Sequence, residues 1–289
     1  MKYSNIILFS DLDGTLLNAQ SKVSEENKKA IEHFVANGGR FGVATGRAKK
    51  NALGILQGIP LNYYSIFLNG ALLYDGVSDK NVEVDILEKE KLIPLIKRCL
   101  VNYPSVGILV YLEEEAYFVS PKVLSPSKLI AEGKLEGDFA KLDTIIDKKW
   151  TKVLFHGELE ELKQVEEGAK DLLEEVVDGI YTTTNYFKTG VCAVADYYEL
   201  LPKGCNKGKR IKTIHKVKGD HDVIYAIGDL YNDVEMIEAA DVGIYTENAP
   251  EELKKRVKRV CTNHNNHVMV DVIERIIEED LALGLGEKK

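Results

Sequence analysis

Two pairs of aspartates in this sequence have the residue type and position of a catalytic or metal-binding site. Asp11 and Asp13 lie in the stretch SDLDGT, just after the apolar run IILF, and Asp229 and Asp233 lie in GDLYND, just after VIYAI. One carboxylate of such a pair can attack an electrophile while its neighbour transfers the proton of the leaving group. Carboxylates gathered in one place repel one another and lose hydration, so a cation must compensate them.

The two apolar runs indicate how the aspartates would meet. Continuously apolar segments such as 6–9 and 223–227 are typical of strands buried on both faces of a parallel sheet. The carboxyl ends of parallel strands share one edge, where open α/β folds bind their ligands. A hard divalent cation with oxygen ligands would balance the charge there, and Mg2+ suits a site that also admits phosphate and water.

The pattern of elements predicts an α/β protein, with a Rossmann-like parallel-sheet core and an inserted α+β domain. Strands and helices alternate in both terminal segments, including a strand at 41–44 and a third parallel strand at 65–68. Between them, strand–helix–strand–strand recurs about twice, which favours an antiparallel sheet. We therefore expect residues 1–81 and 191–289 to form the core and residues 82–190 the inserted domain.

Composition narrows the class of protein. The chain has 289 residues, a net charge of −8 and four cysteines, which are not spaced as metal ligands. The acidic balance argues against a nucleic-acid-binding or anionic-membrane surface. Sparse cysteines indicate a reducing compartment, and the longest apolar runs are far shorter than the roughly 18 residues of a membrane span. We expect a cytoplasmic protein without nucleic-acid or membrane partners.

Taken in order, four motifs resemble those of the haloacid dehalogenase (HAD) superfamily of aspartate-nucleophile phosphohydrolases. They are DLDGT at 11–15, ATGR at 44–47, PKGCNKG at 202–208 and GDLYND at 228–233. NGA and ENAP, at 69–71 and 247–250, also resemble segments of the Cof-type branch, in which a large α/β cap lies between the second and third motifs. The resemblance extends over nearly the whole chain.

The resemblance implies a role for each matching residue. Asp11 would attack phosphorus and form an aspartyl-phosphate, while Asp13 would protonate the leaving oxygen and then activate water. Mg2+ would be held by Asp11, the backbone carbonyl of Asp13 and Asp229, with Asp233 as a ligand or beside the ligands. The phosphoryl oxygens would be bound by Thr45, Gly46 and Lys207, with Asn232 in support.

Several of these residues also have ordinary structural explanations. Thr45 can cap a helix, Lys207 can be a solvated lysine at a helix start, and Asp233 can be an acid favoured by a helix N-terminus. Arg47 can form a structural ion pair or contact the substrate. Tyr231 stands where the family more commonly has a small or polar residue, and it can narrow the pocket or face solvent.

The predicted function is that of a Mg2+-dependent phosphomonoesterase acting on a small phosphorylated metabolite, with sugar phosphates as the leading class. One alternative is a phosphotransferase, such as a phosphomutase, that uses the same aspartyl-phosphate. Another is a non-catalytic sugar-phosphate-binding protein. The pair of Asp11 and Asp13 counts against the latter, because binding alone requires neither a nucleophile nor a proton donor. The sequence leaves the oligomeric state open.

Overall fold

The first strand lies inside a parallel sheet of five strands in the computed structural model, which describes residues 1–120, 137–182 and 197–284. The strands in these residues are β1 (Ile6–Ser10), β2 (Arg40–Val43), β3 (Tyr64–Phe67), β4 (Leu72–Asp75), β5 (Lys80–Val84), β6 (Gly107–Tyr111), β7 (Ala116–Phe118), β8 (Asp138–Phe139), β9 (Lys152–His156), β10 (Val177–Thr182), β11 (Tyr197–Pro202), β12 (Val223–Gly228), β13 (Val242–Thr246) and β14 (Arg259–Cys261).

Helices connect the strands. The α-helices of the described residues are α1 (Glu25–Ala36), α2 (Lys49–Ile55), α3 (Lys89–Asn102), α4 (Leu142–Ile145), α5 (Leu159–Gly168), α6 (Lys170–Glu175), α7 (Lys207–His215), α8 (Val234–Ala239), α9 (Glu251–Lys254), α10 (Val268–Asp271) and α11 (Glu278–Ala282). Short 3-10 turns are formed by Leu68–Gly70 and Tyr231–Asp233, and a π-helical segment, Val272–Ile277, joins α10 to α11.

The parallel sheet has the strand order β14-β13-β12-β1-β2. Every residue of β1 and β12 is buried, as expected for apolar strands covered on both faces. The two strands pair from Ile6 with Val223 to Ser10 with Ile227, and β2 pairs with the other side of β1. The segments that follow β1, β2 and β12 therefore leave the sheet at one edge. The predicted α/β fold with a parallel sheet is confirmed.

The strand β3 differs from its prediction. It makes one isolated parallel bridge to the main sheet, between Ala44 and Ile66. Its continuous partner is β4, with which it pairs antiparallel in a separate three-stranded sheet, β3-β4-β5. The prediction of a parallel third strand is therefore wrong about its main partner, because an apolar run does not encode the direction of the neighbouring strand.

The chain divides into two compact units. Residues 1–47, 52–83 and those from Asn206 onward belong to the first unit, and residues 48–51 and 84–205 belong to the second. The second unit contains a six-stranded sheet of order β10-β11-β9-β6-β7-β8, in which all pairs are antiparallel except β7 with β8. Its core includes the fully buried Trp150, Phe155 and Ile96.

The boundaries of the units differ in part from the expected ones. The N-terminal part of the first unit ends at Glu83, two residues beyond the expected 81. The expected return to the core at 191 lies outside the described residues, but β11, which follows it, belongs to the second unit because it pairs with β9 and β10. Residues 197–202, which we expected in the core, are therefore grouped with the second unit. Their sequence, YYELLP, is equally compatible with a strand of either sheet.

Over the residues that the structure describes, no helix combines the length and the apolar character needed to cross a membrane.

A close approach between β2 and β3 generates a stability prediction. A Cβ atom on Gly42 would lie 1.8 Å from the carbonyl oxygen of Tyr64, so the backbone must shift to admit any side chain. We expect Gly42→Ala to lower the free energy of unfolding by about 2 kcal/mol or more, as measured by denaturant unfolding. The matched control is Gly54→Ala in α2, where a Cβ meets no atom within 4 Å. It should leave the stability unchanged or raise it by up to about 1 kcal/mol; equal losses in the two variants would contradict the prediction.

Candidate active site

A buried lysine lies between two of the predicted site carboxylates. Lys207 Nζ donates hydrogen bonds to Asp11 Oδ1 at 2.7 Å and to Asp233 Oδ1 at 2.6 Å. The side chains of Lys207 and Asp233 have no exposed surface, and that of Asp11 is 8% exposed. The structure thus brings these three residues together, and Lys207 is not a solvated lysine at a helix start.

The sheet and the start of α7 position these groups. Asp11 follows β1, and its backbone N–H donates to the carbonyl oxygen of Ile227 in β12 at 2.9 Å. Asn206 caps α7, because its side-chain oxygen accepts a hydrogen bond from the N–H of Lys209 at 2.8 Å. The cap begins the helix at Lys207, whose side chain then reaches the carboxylates at the sheet edge.

Asp229 completes a group of three buried carboxylates with Asp11 and Asp233. One oxygen of each lies within 4.8 Å of the others. Asp229 Oδ1 accepts a hydrogen bond from Thr15 Oγ1 at 3.1 Å, whereas its buried Oδ2 has no hydrogen-bond partner within the described ranges. A buried carboxylate oxygen without a partner is costly unless a cation or a proton compensates it.

Asp233 is fixed by the loop in which it lies. Its Oδ2 accepts hydrogen bonds from the backbone N–H groups of Asp229 at 2.9 Å and Leu230 at 3.2 Å, while its Oδ1 receives Lys207. Asp233 also precedes α8 directly, but its side chain forms no capping hydrogen bond to that helix. Its contacts are therefore with Lys207 and with the backbone of its own loop.

Burial and mutual repulsion perturb the acid–base properties of this group. Burial raises the pKa of Asp11 to about 7, with Lys207 opposing the shift and the charge of Asp233 adding to it. Burial, followed by the charges of Asp11 and Asp233, raises the pKa of Asp229 well above its ordinary range. Burial disfavours the charged form of Lys207, but the adjacent carboxylates outweigh it and raise the pKa of this ammonium group. The carboxylate group therefore requires additional positive charge.

The donor set fits a hard divalent cation. Three carboxylates and one ammonium group carry a net charge of −2 when all are ionised, because three negative charges meet one positive charge. A divalent cation would cancel that charge, and an all-oxygen donor set is the kind that Mg2+ prefers. Asp11, Asp229 and Asp233 are the residues that could hold it.

Asp13 is not one of the three grouped carboxylates; it pairs with Arg47. Arg47 Nε lies 2.6 Å from Asp13 Oδ2, and Arg47 Nη2 lies 2.7 Å from Asp13 Oδ1, which makes a two-bonded ion pair. The Asp13 side chain is 53% exposed, whereas that of Arg47 is 7% exposed. Gly14, at φ 78°, supplies the left-handed backbone that turns the chain here. The structure shows an ion pair of Arg47, and contact of Arg47 with the substrate stays a prediction.

Thr45 and Gly46 lie beside Asp11 at the same sheet edge. The N–H of Ala44 donates to the carbonyl of Ser10, immediately before Asp11, at 2.9 Å. Thr45 is 1% exposed, and its hydroxyl accepts a hydrogen bond from the N–H of Arg47 at 3.2 Å. This bond forms a local turn ahead of α2, which begins at Lys49, so Thr45 is not the residue that caps that helix.

Asn232 and Tyr231 have different surroundings. Asn232 Nδ2 donates to Asn69 Oδ1 at 3.3 Å. Tyr231 is 54% exposed, and its hydroxyl donates to the carboxylate of Glu252. The tyrosine ring is therefore largely solvent-facing, in agreement with the second of its two alternatives.

Two residues with site contacts received no role from the sequence. Thr15 donates to Asp229 across 214 positions of the chain, and Asn69 accepts from Asn232 across 163 positions. The DGT and NGA segments were visible as parts of the resemblance, but nothing in a single sequence shows which distant atom a hydroxyl or an amide will contact.

A parallel sheet with buried carboxylates at the carboxyl ends of its strands, and with a further α/β unit inserted in the chain, is the arrangement of HAD-fold hydrolases. The family model described as haloacid dehalogenase-like hydrolase matches residues 8–273. The chain belongs to this family, and the resemblance in its four motifs is confirmed.

The chain matches its relatives over most of its own length but over different shares of theirs. The 5-amino-6-(5-phospho-D-ribitylamino)uracil phosphatase YwtE of Bacillus subtilis is 26% identical over 300 residues, covering 94% of this chain and 98% of that protein. The chloroplastic endoribonuclease YBEY of Arabidopsis thaliana is 28% identical over 296 residues, covering 93% of this chain. The chain spans 46% of the length of that relative. Among solved structures, the HAD subclass IIB sugar phosphatase BT4131 has a TM-score of 0.73 at 20% identity, covering 96% of this chain and 99% of its own. At that identity the likeness shows the fold.

The raised pKa of Asp229 leads to a prediction for the metal-free protein. Asn has the shape of Asp without the charge, so we expect Asp229→Asn to raise the melting temperature in EDTA at pH 8 by about 2–4 °C, or about 1 kcal/mol. The penalty on the wild-type carboxylate is absent below its unfolded pKa near 3.8 and grows as pH rises, so the gain should be smaller at pH 5.

The same variant tests the carboxylate group as a cation site. Mg2+ should raise the melting temperature of the wild type and of the exposed-loop control Asp220→Asn, but raise that of Asp229→Asn much less. Equal stabilisation of all three proteins by Mg2+ would rule out Asp229 as a ligand.

Proposed function

We propose that this chain is a Mg2+-dependent phosphomonoesterase that hydrolyses a small organic phosphate, most readily a sugar phosphate, through an aspartyl-phosphate on Asp11. The observation that carries the proposal is the contact of Lys207 with Asp11 and Asp233 inside a group of three buried carboxylates. Such a site brings a nucleophile, the ammonium group of a lysine and candidate metal ligands close together. Phosphoryl transfer depends mainly on positioning and charge neutralisation.

In the first step, an oxygen of Asp11 attacks phosphorus as the bond from phosphorus to the leaving oxygen breaks. Asp13, released from its ion pair with Arg47 and protonated, gives its proton to that oxygen, and the alcohol leaves. In the second step, Asp13 removes a proton from water, which attacks phosphorus and releases inorganic phosphate and free Asp11. Mg2+, held by Asp11, Asp229, Asp233 and the carbonyl of Asp13, would supply charge neutralisation at the phosphoryl oxygens.

The neighbours of Asp11 have complementary tasks in this proposal. Lys207 favours the ionised, nucleophilic form of Asp11 and offers its remaining donor capacity to a phosphoryl oxygen. The Thr45 hydroxyl, the Gly46 N–H and the Asn232 amide supply further donors. Arg47 holds Asp13 in a two-bonded ion pair, and that pair must open before the half-exposed carboxyl group can turn toward a leaving group.

We assign catalysis and substrate selection to different units of the chain. The residues of this mechanism all belong to the first unit, to which we assign the chemistry. We assign the choice of leaving group to the second unit, as a cap. The names of YwtE and BT4131, which specify a phosphorylated ribityl compound and sugar phosphates, support a small polyhydroxylated phosphate as the substrate class.

We place the activity in the cytoplasm. Cys99, Cys205 and Cys261 are buried free thiols in the described part of the chain, which agrees with a reducing compartment.

Replacing the nucleophile tests the reaction. We expect Asp11→Asn to lower the Mg2+-dependent hydrolysis of p-nitrophenyl phosphate by about 1000-fold or more, because an amide cannot form the aspartyl-phosphate. Asp220→Asn, in an exposed loop, should keep wild-type activity.

A panel of phosphate esters, assayed for released phosphate with and without Mg2+, then separates the alternatives. Turnover that requires an acceptor alcohol would favour a phosphotransferase. Binding of the esters without turnover would favour a non-catalytic binding protein.

The two tasks of Asp13 can be separated by the leaving group. p-Nitrophenolate leaves without a proton, whereas a sugar alkoxide needs one. We therefore expect Asp13→Asn to release about one p-nitrophenol per active site in a rapid burst and then stall as phospho-enzyme. The same variant should give no burst of alcohol from a hexose phosphate. Steady turnover of both substrates near wild-type rates would contradict the role of Asp13 in both steps.

A further inference from the structure

The turn between β3 and β4 contacts segments that we have assigned to phosphate binding. It consists of Leu68, Asn69 and Gly70. Asn69 is 2% exposed, and its amide oxygen accepts a hydrogen bond from Asn232 Nδ2 at 3.3 Å. A residue from outside the four motifs thus holds the side chain of one proposed phosphate ligand.

The same turn is joined to the loop after β2. The N–H of Leu68 donates to the carbonyl of Arg47, and the N–H of Asn69 donates to the carbonyl of Thr45, each at 3.0 Å. A Cβ atom on Gly46 would lie 3.0 Å from both terminal atoms of the Asn69 amide. Gly46 therefore packs directly against the Asn69 side chain.

The turn also approaches the segment that carries Lys207. A Cβ atom on Gly70 would lie 2.3 Å from the carbonyl oxygen of Asn206, the capping residue of α7. Arg210 in that helix is fully buried, and its Nε donates to the carbonyl of Gly70 at 2.7 Å. The turn is consequently packed between three segments that are far apart in sequence.

The backbone of the turn is strained. Leu68 and Asn69 have φ values of 53° and 52°, and Gly70 has a φ of 105°. A left-handed backbone costs about 1–2 kcal/mol in a residue with a Cβ atom, although Asn tolerates it better than Leu. Strain of this kind persists where the surroundings hold it in place, and it is concentrated at functional sites.

We propose that Asn69 is a positioning residue for the phosphoryl-binding site, acting through Asn232 and Gly46. Its amide fixes the rotamer of Asn232, and its side chain supports the loop that presents the Gly46 N–H and the Thr45 hydroxyl. The inference rests on the proposed function, since it concerns the same phosphoryl site. Removing the amide should loosen both sets of donors and weaken the binding of phosphate, without changing the nucleophile or the cation ligands.

The test uses Asn69→Gly, because glycine adopts a φ of 52° without strain. We expect this variant to melt close to the wild-type temperature, to bind inorganic phosphate about 10-fold to 100-fold more weakly in the presence of Mg2+, and to show a similar rise in KM for p-nitrophenyl phosphate. Titration calorimetry gives the phosphate affinity independently of turnover. The matched control is Asp79→Gly, which replaces another left-handed residue, at φ 53° on an exposed turn, and should keep the wild-type phosphate affinity.

A double-variant cycle tests the route of the effect. If Asn69 acts through Asn232, Asn69→Gly combined with Asn232→Ala should bind phosphate only slightly more weakly than Asn232→Ala alone. Wild-type phosphate affinity in Asn69→Gly would overturn the proposal, and losses in the double variant that equal the product of the single losses would overturn the route through Asn232. A purely structural role would lower the melting temperature without altering the affinity of the folded protein, which would also overturn the proposal.

The wild-type titration separates this inference from the proposed function. A wild-type protein that neither binds phosphate nor hydrolyses p-nitrophenyl phosphate in the presence of Mg2+ would refute both together. If the wild-type protein binds phosphate and hydrolyses p-nitrophenyl phosphate, and Asn69→Gly has the same phosphate affinity and KM, only the role of Asn69 is refuted.

Discussion

The site depends on one buried ammonium group held between carboxylates. Lys207 contacts Asp11 and Asp233 at hydrogen-bond distance, and none of these side chains has more than 8% of its surface exposed. Without the lysine, three carboxylates would lie within 4.8 Å of one another in a region that water barely reaches, and ionisation of all three would be strongly unfavourable. With it, the charge still falls short of balance, and this shortfall makes the site receptive to a divalent cation.

The fold supplies the rigidity that such a charge arrangement requires. The backbone N–H of Asp11 is bonded to Ile227, Asp233 is held by two N–H groups of its own loop, and the cap by Asn206 sets the start of the helix that carries Lys207. These restraints come from main-chain groups and from a helix cap. The carboxylate side chains therefore stay close together in the folded state, even though their mutual repulsion favours separation.

Much of this arrangement could be predicted from the sequence, because it follows from local rules. Asp11, Asp229 and Asp233 come just after strongly apolar runs, and parallel strands deliver such residues to one edge. What the sequence left open depends on partners distant in the chain. Tertiary geometry decides the direction of β3, the membership of β11 in the second unit, the pairing of Arg47 with Asp13 and the contact of Asn69 with Asn232. Hydrophobic periodicity and motif spacing carry no information about these contacts. Left-handed backbone at Leu68 contradicts the local preference of its residue type, and only the surrounding packing accounts for it.

The complete burial of Lys207 has a consequence for the kinetics of encounter. A phosphorylated ligand in bulk water meets the field of a chain with a net charge of −8 before it comes near any cation at the bottom of the site. That repulsion reaches about one Debye length, roughly 10 Å at 0.1 M ionic strength. Added salt screens it and so accelerates the approach of the anion, whereas proteins that display basic residues on their surface lose association rate under the same treatment.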